Sequence, residues 1–198
     1  MQSTPETAQV RRLRGAWHDG AGAVMGSLII ITGAMGAGKT SVLGEASDIL
    51  ARRQIVHAAI DVDALGLAYL SATTRNDKVM YSNLQSICRN YAGLGVTRFL
   101  LARALESHSE LESCRGVVSA VDTRVCRLVA QIETMEERVK LRESGVARQE
   151  YIRRVAELSA ILDQAQLEDF RVSNESRSVT DVALEMLTRA RWIGAFGQ

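Results

Sequence analysis

Leu28-Ile29-Ile30-Ile31-Thr32-Gly33-Ala34-Met35-Gly36-Ala37-Gly38-Lys39-Thr40-Ser41 is the stretch from which the rest of the chain can be read. Its first five residues are continuous, mostly apolar and β-branched, and they stop at a glycine. A parallel strand buried on both faces reads this way. Beyond the glycines, Val42, Leu43, Ala46, Ile49 and Leu50 recur at helical spacing. The stretch therefore predicts a strand, a tight loop and an amphipathic helix in succession.

Gly33 to Thr40 fits G-x-x-x-x-G-K-[ST] at every fixed position. The physics asks for these residue types. Holding a phosphate chain requires several backbone N–H groups converging on it, and glycines permit the curvature and positive φ that turn them inward. The helix that follows adds partial positive charge at its N-terminus. Lys39 reaches the β- and γ-phosphates as a point charge, and Thr40 offers a hydroxyl to Mg²⁺. Gly33, Ala34, Met35, Gly36, Ala37, Gly38, Lys39, Thr40 and Ser41 are thus the expected nucleotide-binding residues, with Thr40 as the metal contact.

Outward from this unit, Ile55–Ile60 reads as a second strand closing on Asp61-Val62-Asp63. Helices are expected over 64–70 and 78–92. A third strand follows at Phe99–Ala102, then a helix to about Ser113, and a fourth strand at Val125–Ala130. Gly116–Val121 reads as either a short extra strand or a loop. Ile132, Met135 and Val139 give one helical stripe, and Tyr151, Ile152, Val155, Leu158 and Leu162 a longer one. Phe170–Ser173 reads as a fifth strand, and Ser178 with Asp181 as a capping box before a last helix. Strands alternating with helices predict an α/β fold: a three-layer αβα arrangement around a five-stranded parallel sheet.

The chain has 198 residues, enough for one such domain, and its formal net charge is +1. That balance advertises neither nucleic acid nor an anionic membrane as partner. Only three of its 24 basic residues are lysines, Lys39, Lys78 and Lys140, and one of them sits inside the glycine loop. Cys88, Cys114 and Cys126 are odd in number and form no C-x-x-C pair, which argues against a disulfide framework or zinc site and for a reducing, cytoplasmic setting. No apolar run approaches the ~20 residues that span a bilayer. Residues 1–26 carry the only proline and a Gly/Ala-rich stretch, and read as a flexible extension ahead of a domain over 27–198.

With the glycine loop after the first strand and Asp61 and Asp63 closing the second, the chain resembles the nucleotide-kinase-like branch of P-loop proteins. That branch includes shikimate, gluconate, adenylylsulfate and nucleoside monophosphate kinases. The resemblance is specific over 28–63 and architectural beyond. It implies ATP and Mg²⁺ as cofactors and a small-molecule acceptor as partner. In an extended chain Asp61 and Asp63 point the same way. A carboxylate there suits the acceptor hydroxyl, since it can take the proton as the phosphoryl group arrives. Helix capping by Asp63 is the alternative.

The resemblance further implies a helical lid around 132–150, with Arg138 and Arg142 neutralising charge on the transferred group beside the catalytic Lys39, Asp61 and Asp63. Pairing with Glu133, Glu136 or Glu143 is the plainer role for those arginines. Arg177 falls where such kinases contact adenine, in what reads otherwise as a turn. Two departures stand out. No second aspartate closes the third or fourth strand, which run into Ala102-Arg103-Ala104 and Gln131. No acceptor signature of those kinases is intact either. A nucleotide-dependent ATPase or GTPase switch, suggested by Asp63-Ala64-Leu65-Gly66, and a non-catalytic ATP-binding module are the other readings. His18, His57 and His108 have no metal-like companions.

Overall fold

The computed structural model describes residues 26–66, 68, 76–118, 120–146 and 148–194. The expected flexible extension lies outside these residues except for Gly26. The chain runs through β1 (Gly26–Thr32), α1 (Lys39–Arg52), β2 (Ala58–Asp61), a 3₁₀ turn (Asp63–Gly66), α2 (Asn76–Gly93) and β3 (Arg98–Ala102). It continues through α3 (His108–Val118), β4 (Ala120–Val129), α4 (Ile132–Arg142), α5 (Arg148–Ala165), β5 (Phe170–Ser173) and α6 (Val179–Arg189).

The five strands form one sheet in the order β2-β3-β1-β4-β5, and every neighbouring pair is parallel. β1 is central, and its side chains alternate between two cores because successive residues of a strand face opposite ways. Ile29 and Ile31 enter one core, with Leu43, Leu50, Val155, Leu158, Val182 and Met186. Leu28 and Ile30 enter the other, with Met80, Leu84, Leu111 and Cys114. Helices thus cover both faces, and all four β1 side chains are fully buried. Each contributes on the order of 2 kcal/mol from burial. The three-layer αβα arrangement with a five-stranded parallel sheet is the one anticipated. The order also puts β3 and β4 on opposite sides of β1, so the crevice beyond the strand carboxyl ends opens beside the loop that follows β1.

Several boundaries differ from expectation. Ile55–His57 lies outside the ladder, and β2 is the edge strand Ala58–Asp61 alone. The His57 ring bridges Ser47 Oγ and the Ile55 carbonyl, each at 2.8 Å, which is a structural role. Within the helix expected over 64–70 the structure has the 3₁₀ turn to Gly66, and residues 67, 69 and 70 lie outside the described residues. No helix leaves β3 directly. Arg103–Ser107 is an irregular link, in which Leu105 N–H donates to Thr32 Oγ1 at 3.0 Å and Glu106 N–H to Glu110 Oε2 at 2.7 Å. α3 then starts at His108 and runs on to Val118, so Gly116–Val118 is helical. β4 begins at Ala120, ahead of its apolar half, because Asp122, Thr123 and Arg124 pair with Ser27, Leu28 and Ile29 of β1. The Ser178 cap is present: its Oγ accepts from Asp181 N–H at 3.1 Å.

Candidate active site

The loop between β1 and α1 is built by its glycines. Gly36 has φ 77° and Gly38 has φ 95°, the left-handed region where a Cβ is strained. Space is closed as well. A Cβ on Gly36 would run into the Met135 carbonyl of α4, and one on Gly38 into the Asn174 amide after β5. The first bond of the α1 ladder is Val42 N–H to Gly38 O, at 2.9 Å. The amides of Lys39, Thr40 and Ser41 therefore belong to the unpaired first turn that every helix presents. Together with the partial charge of the helix end, they form a nest suited to an anion.

Lys39 Nζ donates to the carbonyls of Gly33 at 2.9 Å and Ala34 at 3.2 Å, so the ammonium lies along the loop. Burial pushes its pKa down; the carboxylates of Asp63 and Asp61 act in the opposite sense, and Arg142 and Arg103 push it down further. Asp61, at the end of β2, accepts from Thr40 Oγ1 at 2.7 Å through Oδ2 and from Asp63 N–H at 3.2 Å through Oδ1. Asp63 is turned another way: its Oδ1 accepts from Arg103 Nη1 at 2.8 Å. Two carboxylates separated by one residue therefore serve different neighbours. Asp61 faces the hydroxyl of the loop, and Asp63 stands in a cleft of about 360 Å³ with Met35, Lys39, Arg103, Glu106 and Arg154.

Arg103 directly follows β3, and the structure makes it a hub. Its side chain is only 14% exposed and reaches Asp63 at 2.8 Å, Glu110 at 3.1 Å and Asp77 at 3.9 Å. Its guanidinium also lies 5.9 Å from the Tyr81 ring centroid, within cation–π range. The only signal for this in the sequence is an arginine directly after a buried strand.

α4 lies against the loop. Arg138 Nη1 donates to Gly36 O at 3.3 Å, and its Nη2 to Asn174 O at 2.9 Å. Arg142 is exposed and pairs with Glu143 at 2.8 Å, yet its charge still acts on Lys39. Arg177 is engaged with Glu185 at 2.6 Å and with the Ser173 carbonyl at 3.2 Å. The structure thus gathers Lys39, Asp61, Asp63, Arg138 and Arg142 around the loop, and holds Arg177 against α6.

Asn174 and Glu175 escaped the sequence reading. Asn174 is buried; its Nδ2 donates to Ala37 O and its own N–H to Val129 O, both at 2.8 Å. Glu175 caps α4 in place of Gln131, accepting from Gln131 N–H at 3.0 Å and Thr134 Oγ1 at 2.9 Å. These donors hold its carboxyl below the usual glutamate range. Polar residues immediately after a strand at the carboxyl edge are the signal that was available. Asn174→Ala strands the Ala37 carbonyl and should lower stability by about 1–3 kcal/mol, read as an earlier urea midpoint at unchanged slope.

Cys88 and Cys126 are buried, which pushes each thiol up to about 12, and Cys114 is pushed up to about 11. They are inert packing groups. Among the described residues, no helix is long and apolar enough to cross a membrane.

A parallel sheet ordered 2-3-1-4-5, with a glycine-lysine loop between the central strand and the first helix, is a P-loop kinase-like fold. No protein-family model matches the sequence, and no curated protein does. Solved structures share the fold. A gluconokinase from Sinorhizobium meliloti superposes with a TM-score of 0.55 at 16% identity, covering 86% of this chain and 94% of its own. Shikimate kinase from Acinetobacter baumannii in complex with shikimate gives 0.56 at 15%, covering 86% and 96%. The Mycobacterium tuberculosis APS kinase in complex with AMPPNP and APS gives 0.57 at 18%, covering 85% and 99%. At such identities the likeness carries the fold; substrate and activity rest on this chain's own residues.

Proposed function

We propose that the chain is an ATP-dependent phosphotransferase that moves the γ-phosphoryl group of Mg-ATP to a hydroxyl of a small molecule in the cytoplasm. One observation supports this above all: Lys39 and Asp63 line one crevice at the carboxyl edge of the sheet, and Asp61, hydrogen-bonded to Thr40, acts on the same ammonium. In this reading the amides of Gly33 to Ser41 and the Lys39 ammonium hold the triphosphate. The oxygens of Thr40 and Asp61 are hard donors that fit Mg²⁺. Magnesium, when bound, neutralises charge on the β- and γ-phosphates.

The two aspartates divide the work. Asp61 serves the metal side through Thr40. Asp63 takes the acceptor's proton; Arg103 engages Oδ1, which leaves Oδ2 for that proton. The acceptor oxygen bonds to the γ-phosphorus as the bond from that phosphorus to the bridging oxygen breaks, and ADP carries the bridging oxygen away. Arg138 and Arg142 neutralise charge on the transferring group. α4 and the start of α5, the lid of this reading, exclude water, because hydrolysis otherwise competes with transfer. The loop holding Arg177 borders the base.

The test is ADP release from Mg-ATP with and without a panel of hydroxyl acceptors. A rate that rises on adding an acceptor, with phosphate recovered on it, is the expected result. Slow hydrolysis indifferent to every acceptor overturns the proposal in favour of a switch-type ATPase, and tight ATP binding without turnover overturns it in favour of a binding module.

A further inference from the structure

The crevice beside Lys39 continues into a second, larger cavity of about 850 Å³ between α2 and α3, and Arg103 and Glu106 line both. The state of its positive charges is informative. Arg103 puts Nη1 on Asp63 and Nη2 on Glu110. Arg154 donates from Nη2 to both oxygens of Glu106, at 3.0 and 2.8 Å, and from Nη1 to Glu157 at 2.6 Å. Both Nη groups of each guanidinium are engaged by the protein's own carboxylates, while Arg103 Nε–H is buried without a hydrogen-bond partner.

The balance of charge points the same way. Among the described lining residues, Lys39, Arg103 and Arg154 face Asp63, Glu106 and Glu150 on the loop side. In the larger cavity Arg103 and Lys78 face Asp77, Glu106 and Glu110, so carboxylates outnumber cations. Once Lys39 is engaged by phosphate, carboxylates outnumber cations among the described residues lining the space left for the acceptor. The remaining lining is hydroxylic: Ser107, Ser109, Ser113 and Tyr81.

An anionic acceptor that seeks a guanidinium Nη pair here has to displace a carboxylate, and beyond the two arginines the described lining of the larger cavity offers it only the single ammonium of Lys78. Arg103 is only 14% exposed, so taking it from Asp63 and Glu110 leaves two carboxylates unpaired beside the newcomer. A site built for an anion keeps an arginine fork open for it, since a bidentate pair needs both donors free. A polyol meets no such conflict. Its hydroxyls donate to carboxylate oxygens that retain spare lone pairs and exchange hydrogen bonds with the serines.

We propose that the acceptor of this site is a polyhydroxylated small molecule without a carboxylate, phosphate or sulfate group. This rests on the phosphotransferase reading and narrows its substrate class. The same residues explain how anions are refused: the Arg103 and Arg154 ion pairs act as a charge filter beside the base.

The test uses the full chain with Mg-ATP and acceptors matched by skeleton: glucose, glucosamine, gluconate and glucose 6-phosphate; adenosine and AMP; myo-inositol and its monophosphate. The expected result is ADP release stimulated by an uncharged or amino-bearing member at a kcat/KM at least tenfold above its anionic counterpart. Glu106→Gln frees Arg154 Nη2 and should narrow that ratio by raising the anionic counterpart. Stimulation confined to the acids and phosphates overturns this inference and leaves the kinase reading standing. Silence across all three sets, with ATP hydrolysed at an acceptor-independent rate, removes the kinase reading and this inference with it.

Discussion

Alanine at position 39 is expected to lower acceptor-stimulated ADP release by about 10²–10³-fold, the scale seen when one preorganised electrostatic group is removed from a site of developing charge. Lys39 is the one lysine in the crevice beside the glycine loop, and its ammonium already lies along the Gly33 and Ala34 carbonyls. The charge is therefore held where the loop amides converge before any phosphate arrives, so little reorganisation is needed. Lys39→Arg is not a rescue, because a planar fork cannot take the place of a compact ammonium inside a tight loop. The fold itself should survive Lys39→Ala, since the two bonds lost go to loop carbonyls and the β1 core is untouched. A folded variant that keeps more than half of wild-type turnover would remove the loop from the chemistry.

Replacing the two aspartates separately should give different phenotypes. Asp63→Asn should reduce kcat by about 10²–10⁴-fold with ATP affinity nearly unchanged, the range for loss of a general base. The asparagine oxygen can still accept from Arg103, so the cleft keeps its shape and loses only the proton acceptor. Asp61→Asn should instead raise the magnesium concentration needed for half-maximal rate, because it weakens the oxygen pair formed with Thr40. Magnesium titration of both variants separates the roles. Equal losses of kcat with no change in magnesium dependence would show that the two carboxylates are not divided as argued.

Much of this architecture can be read locally. The apolar β-branched run of β1, the period-3.6 stripe of α1 and the Ser178–Asp181 cap each use residues within a few positions of one another. Their physics is short-range: strand burial, helix amphipathicity and a side chain closing a helix end. Boundaries failed where a distant partner intervened. α3 starts late because Thr32, on another strand, holds Leu105. β4 starts early because three polar residues take ladder partners from β1.

The site divides along the same line. Glycines that must adopt positive φ, followed by lysine and threonine, spell out an anion-holding loop in the chain alone, since backbone curvature is set by the residues that form it. The opposed duties of Asp61 and Asp63, the double ion pairing of Arg103, and the clamp of Asn174 on Ala37 come into being only in the folded chain. Each joins residues 21 to 137 positions apart or depends on one that does. Charge pairing and hydrogen bonding at that separation are decided by how β2, β3 and β5 are stacked beside β1, because an ion pair or hydrogen bond acts over a few ångströms of space and is indifferent to distance along the chain.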